Sequence, residues 1–357
     1  MSDHSQHPQK DLAKALVLVS RALVYTVTLF VLTVGAASLV RLLGYDNLKA
    51  SYARMFKEQE PQRPPAKTNA AADTLWKAPD PGSTDELVQY GRALVAQTSK
   101  YLGPKGSVSA TTNGMNCQNC HLDAGTRIFG NNYSAVASTY PKFRARSGTE
   151  ESIEKRISDC FERSLNGTAP APESKEMKAM VAYIRWVGKE VKKGKTPYGA
   201  GLVEVPFMDR AADPEKGKLA YTQKCVSCHG ADGAGQAEAE GNGYVYPPLW
   251  GKHSYNHGAG LYRLSRFAGY VKANMPLGAS YTATQLSDEE VWDIAAYVNS
   301  QPRPGKDLSE DWPDISKKPV DHPFGPYADN FSEQQHKYGP FGPIKKAAAE
   351  SKKKKSG

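Results

Sequence analysis

Five cysteines and eight histidines hold most of the redox chemistry open to this chain. Four of the cysteines fall into two pentapeptides, Cys117-Gln118-Asn119-Cys120-His121 and Cys225-Val226-Ser227-Cys228-His229. In a Cys-x-x-Cys-His sequence the two thiols form thioether bonds to the haem vinyl groups, and the adjoining imidazole lies beneath the iron as its proximal ligand. Paired Cys-x-x-Cys motifs also make zinc ribbons, but Cys120 and Cys225 are much too far apart along the chain for that spacing. The expected cofactors are therefore two covalently bound haem c groups, attached at Cys117, Cys120, Cys225 and Cys228 and ligated by His121 and His229.

Cys160 is left over. A free thiol in an oxidising compartment is a liability unless it has a task. The first haem needs a distal ligand from downstream, and no histidine lies between His121 and His229. Within its own domain the soft donors downstream are Cys160, Met177 and Met180. The two methionines sit among Val181 and Ile184, where a core role fits, so Cys160 is the favoured ligand and an inert buried thiol is its alternative. For the second haem, Met275 is the one methionine after His229, held in Asn274-Met275-Pro276-Leu277-Gly278. His253 and His257 are the alternatives, with surface or secondary roles suiting them better.

These residues need elements to position them. Helical spacing runs over 85–102, 150–165 (ended by Gly167) and 173–187. On the second of these, Arg156, Cys160 and Ser164 follow at i, i+4 and i+8 along one stripe. Ile153, Ile157 and Phe161 form an apolar stripe roughly 60° away. Lys155, Ser158, Asp159 and Glu162 fall opposite and are expected to be solvated. Arg163 lies beside the cysteine, with Arg144 and Arg146 just upstream. Guanidinium groups stay charged, bind oxyanions bidentately and favour a neighbouring thiolate, so a compact sulfur oxyanion is the obvious guest.

A second block repeats the order of helix, Cys-x-x-Cys-His, loop and terminal helix. It opens with Asp213-Pro214, an N-cap followed by proline at the first helical position. Its last helix starts with the capping-box pattern Ser287-Asp288-Glu289-Glu290. The expected fold is mainly α, with two cytochrome c-like haem domains in tandem after an N-terminal transmembrane helix. Ala22 to Val40 carries no charge, and at 1.5 Å per residue it extends roughly 28 Å, close to a bilayer core. Lys10, Lys14 and Arg21 before it suit a cytoplasmic N-terminus. The run is longer than a usual signal-peptide core, so an uncleaved anchor on the periplasmic side of the inner membrane is expected. A soluble periplasmic protein released by cleavage near Gly35-Ala36-Ala37 is the alternative.

The resulting plan has the N-terminus and anchor over 1–45, a tether over 46–78, the first haem domain over 79–195, a linker over 196–212, the second haem domain over 213–302 and an extension over 303–357 that wraps or trails. The net charge of +9 in 357 residues owes much to the tail, where Lys345, Lys346 and Lys352 to Lys355 face only Glu350. No nucleic-acid partner is expected; a solvated tail accounts for the excess.

With these residues in view, the sequence resembles the thiosulfate dehydrogenases, dihaem cytochromes c that are also tetrathionate reductases. The resemblance covers roughly residues 80 to 300. It is most specific in Asn116-Cys117-Gln118-Asn119-Cys120-His121-Leu122-Asp123-Ala124-Gly125, in Ala137-Ser138-Thr139-Tyr140-Pro141, in Arg144-Ala145-Arg146-Ser147-Gly148 and in Ile157-Ser158-Asp159-Cys160-Phe161-Glu162-Arg163-Ser164. It implies that the first haem, with His121 and Cys160 as ligands, is the active site, and that Arg146, Arg156 and Ser164 bind substrate. Arg144 and Arg163 are weaker matches. The second haem, with His229 and Met275, would exchange electrons with a partner cytochrome. Some members carry lysine before the distal methionine; here the residue is Asn274, so a lysine-to-methionine ligand switch is not expected.

The activity implied is reversible oxidation of two thiosulfate anions to tetrathionate. Cys160 would form a sulfur–sulfur adduct with one thiosulfate, and a second would attack it. A plain dihaem electron carrier would instead have methionine on both haems and no use for Cys160. A thiol-conjugating cytochrome of sulfur oxidation would share the cysteine-ligated haem but attach thiosulfate to a carrier protein.

Overall fold

The computed structural model describes residues 7–42, 75–80, 82, 85–239 and 241–356. The expected tether lies almost wholly outside the described residues. The chain divides into two compact units, one ending at Ala71 and one beginning at Ala72. The first contains a 36-residue helix, His7–Leu42. Its segment Leu18–Gly35 has a mean hydropathy of 1.8. By length and composition this helix can cross a membrane, a test that a signal sequence also passes.

The second unit contains the two haem-attachment motifs. The helix Glu86–Ala96 starts where Asp85 accepts hydrogen bonds from the Leu87 and Val88 amides, and its buried face is Val88, Gly91, Leu94 and Val95. It is shorter than expected, because Gln97 leaves helical geometry and a separate turn, Thr98–Leu102, follows. The helix Lys175–Val187 is capped by the Ser174 hydroxyl and crosses the first at Gly91. A Cβ there would lie 2.0 Å from the Ala179 carbonyl oxygen, so only glycine allows this approach. The second block packs the same way. Helix Pro214–Lys224, capped by Asp213, crosses Asp288–Ser300, which carries the expected Ser287/Glu290 capping box. At that crossing a Cβ on Gly217 would lie 1.8 Å from the Asp293 carbonyl oxygen. The duplicated order in the sequence is thus a duplicated helix crossing, each over its own apolar core. Full burial of a side chain such as Leu94, Met177 or Ile294 contributes about 1.5–3 kcal/mol.

Packing of the first domain begins before the expected boundary at 79: Trp76 is buried, and its amide donates to the Tyr198 carbonyl. The connecting stretch after 196 is itself packed, with Leu202, Val205 and Ala212 buried. The domains are docked directly by polar contacts. Tyr270 Oη donates to the Asn119 carbonyl at 2.7 Å, Asn274 Nδ2 to the Phe129 carbonyl at 3.1 Å, and Arg127 Nη2 to the Ala279 carbonyl at 3.0 Å.

The C-terminal extension wraps. Trp312, Tyr338, Phe341 and Ile344 are buried, the last three in the second core. Asp321 clips the extension to the second domain: it is 2% exposed and accepts from Arg263 Nε at 3.0 Å and from the Ser265 amide at 3.1 Å. Burial alone would raise its pKa, but Arg263 and Ser265 outweigh this and hold it below the ordinary aspartate value. A depressed folded pKa stabilises the fold at neutral pH, and that stabilisation is lost as pH falls through the acidic range. Asp321→Ala strands the Arg263 charge and is expected to cost about 3–5 kcal/mol, read as a lower urea midpoint at pH 7. The gap between variant and wild type should narrow as the pH is lowered; a constant gap would count against the pair.

Candidate active site

The cysteine-bearing helix runs from Ile153 to Arg163 and starts at Ser152, whose hydroxyl accepts from the Lys155 amide. It does not extend back to residue 150 as expected. Thr149–Glu151 instead pairs antiparallel with Lys142–Arg144, with Arg144 opposite Thr149. Ile153, Ile157 and Phe161 are buried in the core, as the apolar stripe requires. The opposite face is only partly solvated. Lys155 and Glu162 are exposed, but Asp159 is buried and paired with Lys155, and Ser158 is half-buried. Tertiary packing over this face overrides the helical-wheel expectation.

Cys160 opens onto a cavity of about 300 Å³ whose walls also include Cys117, Cys120 and His121. Met180, Ile184 and Val136 make apolar wall, Tyr140 and Ser164 add hydroxyls, and Arg144, Arg156 and Arg266 add charge. No carboxylate of the described residues lines it. Met177 is not in the wall; it is fully buried in the core.

The donor set fits a covalently attached haem. His121 Nδ1 lies 2.5 Å from the Asn131 carbonyl, which leaves Nε2 for a metal. Its ring packs on Tyr133 with centroids 4.6 Å apart. Burial is the main cause that pushes the His121 pKa down to about 4, with Arg156 adding to it, so the imidazole is neutral as ligation requires. Burial likewise pushes the Cys117 and Cys120 thiols up to about 12. Those two sulfurs stay uncharged, as suits thioether formation.

The arginines divide into two groups. Arg156 Nη1 is 3.2 Å from Cys160 Sγ. The Arg156 pKa is raised, first by its electrostatic interaction with Cys160 and then, against desolvation, by Tyr140, Asp159 and Glu151. Arg144 lines the cavity and lies 3.9 Å from Glu151. Arg146 and Arg163 do not line it; the extension holds both beside it. Arg163 makes a two-pronged pair with Asp311 at 2.7 and 2.8 Å. Arg146 Nε is 3.9 Å from the same carboxylate, its guanidinium lies over the Trp312 ring, and its carbonyl accepts from the Trp312 amide at 2.7 Å. Desolvation, then the charge of Arg163, bring the Arg146 pKa down to about 10, with Arg156 and Arg144 acting the same way and Asp311 opposing.

The second attachment motif has the same local logic. His229 Nδ1 lies 3.0 Å from the Pro247 carbonyl, leaving Nε2 available. Met275 follows directly on helix Leu264–Asn274 and packs against the same core as Cys225 and Val226. The rival donors are elsewhere engaged or exposed. His257 Nε2 accepts from the Lys306 amide at 2.7 Å, and His253 is exposed. Asn274 is buried and used in domain docking.

Among the residues at or beside the site that the sequence did not point to, three come from distant segments: Arg266 from the second domain, and Asp311 and Trp312 from the extension. No local pattern marks them, because each reaches the site only through the docking of distant segments.

Comparison with known proteins adds to this geometry. Residues 107–192 match the SoxA/TsdA cytochrome c domain family, and residues 214–302 match the cytochrome c family. The chain is 41% identical over 219 residues to the thiosulfate dehydrogenase of Stutzerimonas stutzeri, covering 61% of this chain and 68% of that protein. It is 38% identical over 227 residues to the thiosulfate dehydrogenase of Allochromatium vinosum, covering 62% and 80%. Among solved structures it is similar to the thiosulfate dehydrogenase TsdBA from Marichromatium purpuratum, with a TM-score of 0.59 and 30% identity over 65% of this chain. It spans half, 50%, of that longer chain.

Proposed function

The chain belongs to the thiosulfate dehydrogenase family, and from that premise we infer that it couples two thiosulfate anions into tetrathionate at Cys160. It is an oxidoreductase of thiosulfate, built of cytochrome c domains with covalently bound haem c. Within our reading there are two haems. The first would be held by Cys117, Cys120, His121 and Cys160, and the second by Cys225, Cys228, His229 and Met275. When bound, these groups would supply a path for electrons from the Cys160 site through the second domain to a cytochrome acceptor.

The observation that carries the reading is the surroundings of Cys160. The thiol left over after haem attachment shares a cavity with Cys117, Cys120 and His121, has Arg156 at 3.2 Å, and faces no carboxylate. The Cys160 thiolate and the terminal sulfur of thiosulfate form one sulfur–sulfur bond with loss of two electrons. The adduct retains one sulfonate charge. Arg156 and the Ser164 hydroxyl bind the sulfonate oxygens. Arg146 supports them from the adjoining cluster, where Asp311 and Trp312 hold it. The terminal sulfur of a second thiosulfate then attacks the adduct and releases tetrathionate, as in thiol–disulfide exchange. The long apolar helix His7–Leu42 supports retention of the enzyme on the periplasmic face of the inner membrane.

Met180 lines the same cavity, so the test separates the two sulfurs. Near-infrared magnetic circular dichroism of the oxidised protein is expected to show a thiolate-ligated ferric haem, unchanged in Met180→Leu. Absence of that signal, or its replacement by a methionine band that Met180→Leu removes, would assign the ligand to another residue. Thiosulfate with ferricyanide should yield one tetrathionate for two thiosulfate consumed.

A further inference from the structure

The cavity beside Cys160 carries more positive charge than a single anion requires. Arg156 is engaged with the Cys160 sulfur at 3.2 Å, and Arg144 has Glu151 at 3.9 Å. Arg266 is different in two respects. It comes from the helix Leu264–Asn274 of the second domain, and its guanidinium makes no hydrogen bond or ion pair to any described residue. Its neighbour Arg263 is committed to Asp321. Arg266 lines the cavity, where burial acts on its guanidinium, yet keeps part of its surface in water, so an incoming anion can reach it.

Resting on the reading that two thiosulfates are joined at Cys160, we propose that Arg266, with Arg144, binds the second thiosulfate, the one that attacks the Cys160 adduct. The electron-transfer domain thereby completes the substrate site of the other domain. The two guanidiniums already sense each other. Desolvation and then Arg263 lower the Arg266 pKa, Arg144 adds to the effect, and Asp321 and Glu204 oppose it. An anion between Arg144 and Arg266 relieves that repulsion.

The chemistry needs such a site. The attacking thiosulfate carries two negative charges toward an adduct that carries one. In this step a bond forms between the terminal sulfurs of the two thiosulfates. The bond from Cys160 to the first thiosulfate breaks, and its electron pair returns to Cys160 as thiolate. The charge is −3 on both sides, and no electron is gained or lost. The fixed charges of Arg144 and Arg266 offset the repulsion and aim the nucleophile. The same oxyanion chemistry also suits a haem propionate, so the experiment separates the two carboxylate and sulfonate sources.

Arg266→Gln and Arg266→Lys are compared with wild type as full-length, haem-loaded protein. Arg266 has no hydrogen-bond or ion-pair partner among the described residues to lose, so both variants are expected to fold. Three quantities are measured: the KM for thiosulfate with ferricyanide as oxidant, the mass of the Cys160-containing peptide after one equivalent of thiosulfate and two of ferricyanide, and the midpoint potentials of the haems. In Arg266→Gln the KM is expected to rise about tenfold, with partial recovery in Arg266→Lys, while the Cys160 adduct forms to the wild-type extent and the potentials stay put. An unchanged KM with normal adduct formation overturns this proposal alone. So does a shifted potential of the first haem with unchanged KM, which assigns Arg266 to a propionate. If wild type itself forms no Cys160 adduct, the underlying two-thiosulfate reading fails instead.

Discussion

Cys160→Ala is expected to lower tetrathionate formation by at least about a thousandfold, the scale on which removal of a covalent nucleophile acts. Alanine removes the sulfur that holds the first thiosulfate while leaving its surroundings largely intact. Cys160 is half-buried at the edge of its helix, whereas Ile153, Ile157 and Phe161 carry the packing. The helix is therefore expected to keep its place, and haem should still attach, since Cys117, Cys120 and His121 lie on a separate segment. Tetrathionate is assayed by cyanolysis, and haem content by the pyridine haemochrome. A variant with full haem content and undiminished tetrathionate yield would remove Cys160 from the chemistry and leave the domain an electron conduit.

Arg156→Gln is expected to reduce kcat/KM for thiosulfate about a hundredfold, a size typical for removal of one preorganised charge from a desolvated site. Its guanidinium lies 3.2 Å from the Cys160 sulfur, and no carboxylate of the described residues lines the cavity to compete with an anion there. Arg156→Lys is expected to recover little, because a lysine ammonium lacks the planar fork that grips two sulfonate oxygens. Full recovery in the lysine variant would mean that Arg156 acts as a point charge. Wild-type kinetics in Arg156→Gln would show that it does not contact substrate.

Arg156 also illustrates how legible this site was. The i, i+4 relation between Arg156 and Cys160 is local, and the contact found is the one that helical geometry dictates. Asp159 failed the same reasoning. The helical wheel puts it on the solvated side, yet it is buried, because a wheel knows nothing of what packs over that side. The alternation of Arg144 and Arg146 likewise could not say which one faces the cavity. That was decided by Asp311 and Trp312, residues far along the chain that draw Arg146 toward the extension.

What the sequence determined by itself was whatever depends on short range. The two Cys-x-x-Cys-His motifs, the caps at Asp213 and Ser287, the apolar stripe of the Cys160 helix and the leftover thiol are all fixed within a few residues. The helix crossings at Gly91 and Gly217 belong to each domain and repeat with it. The tertiary structure alone decided what closes the site: which arginines line the cavity, that Arg266 arrives from the second domain, and that residues beyond 302 wrap back onto Arg146 and Arg163. The physical reason is that such contacts are set by shape and charge complementarity between surfaces distant in the chain, and sequence periodicity carries no record of them.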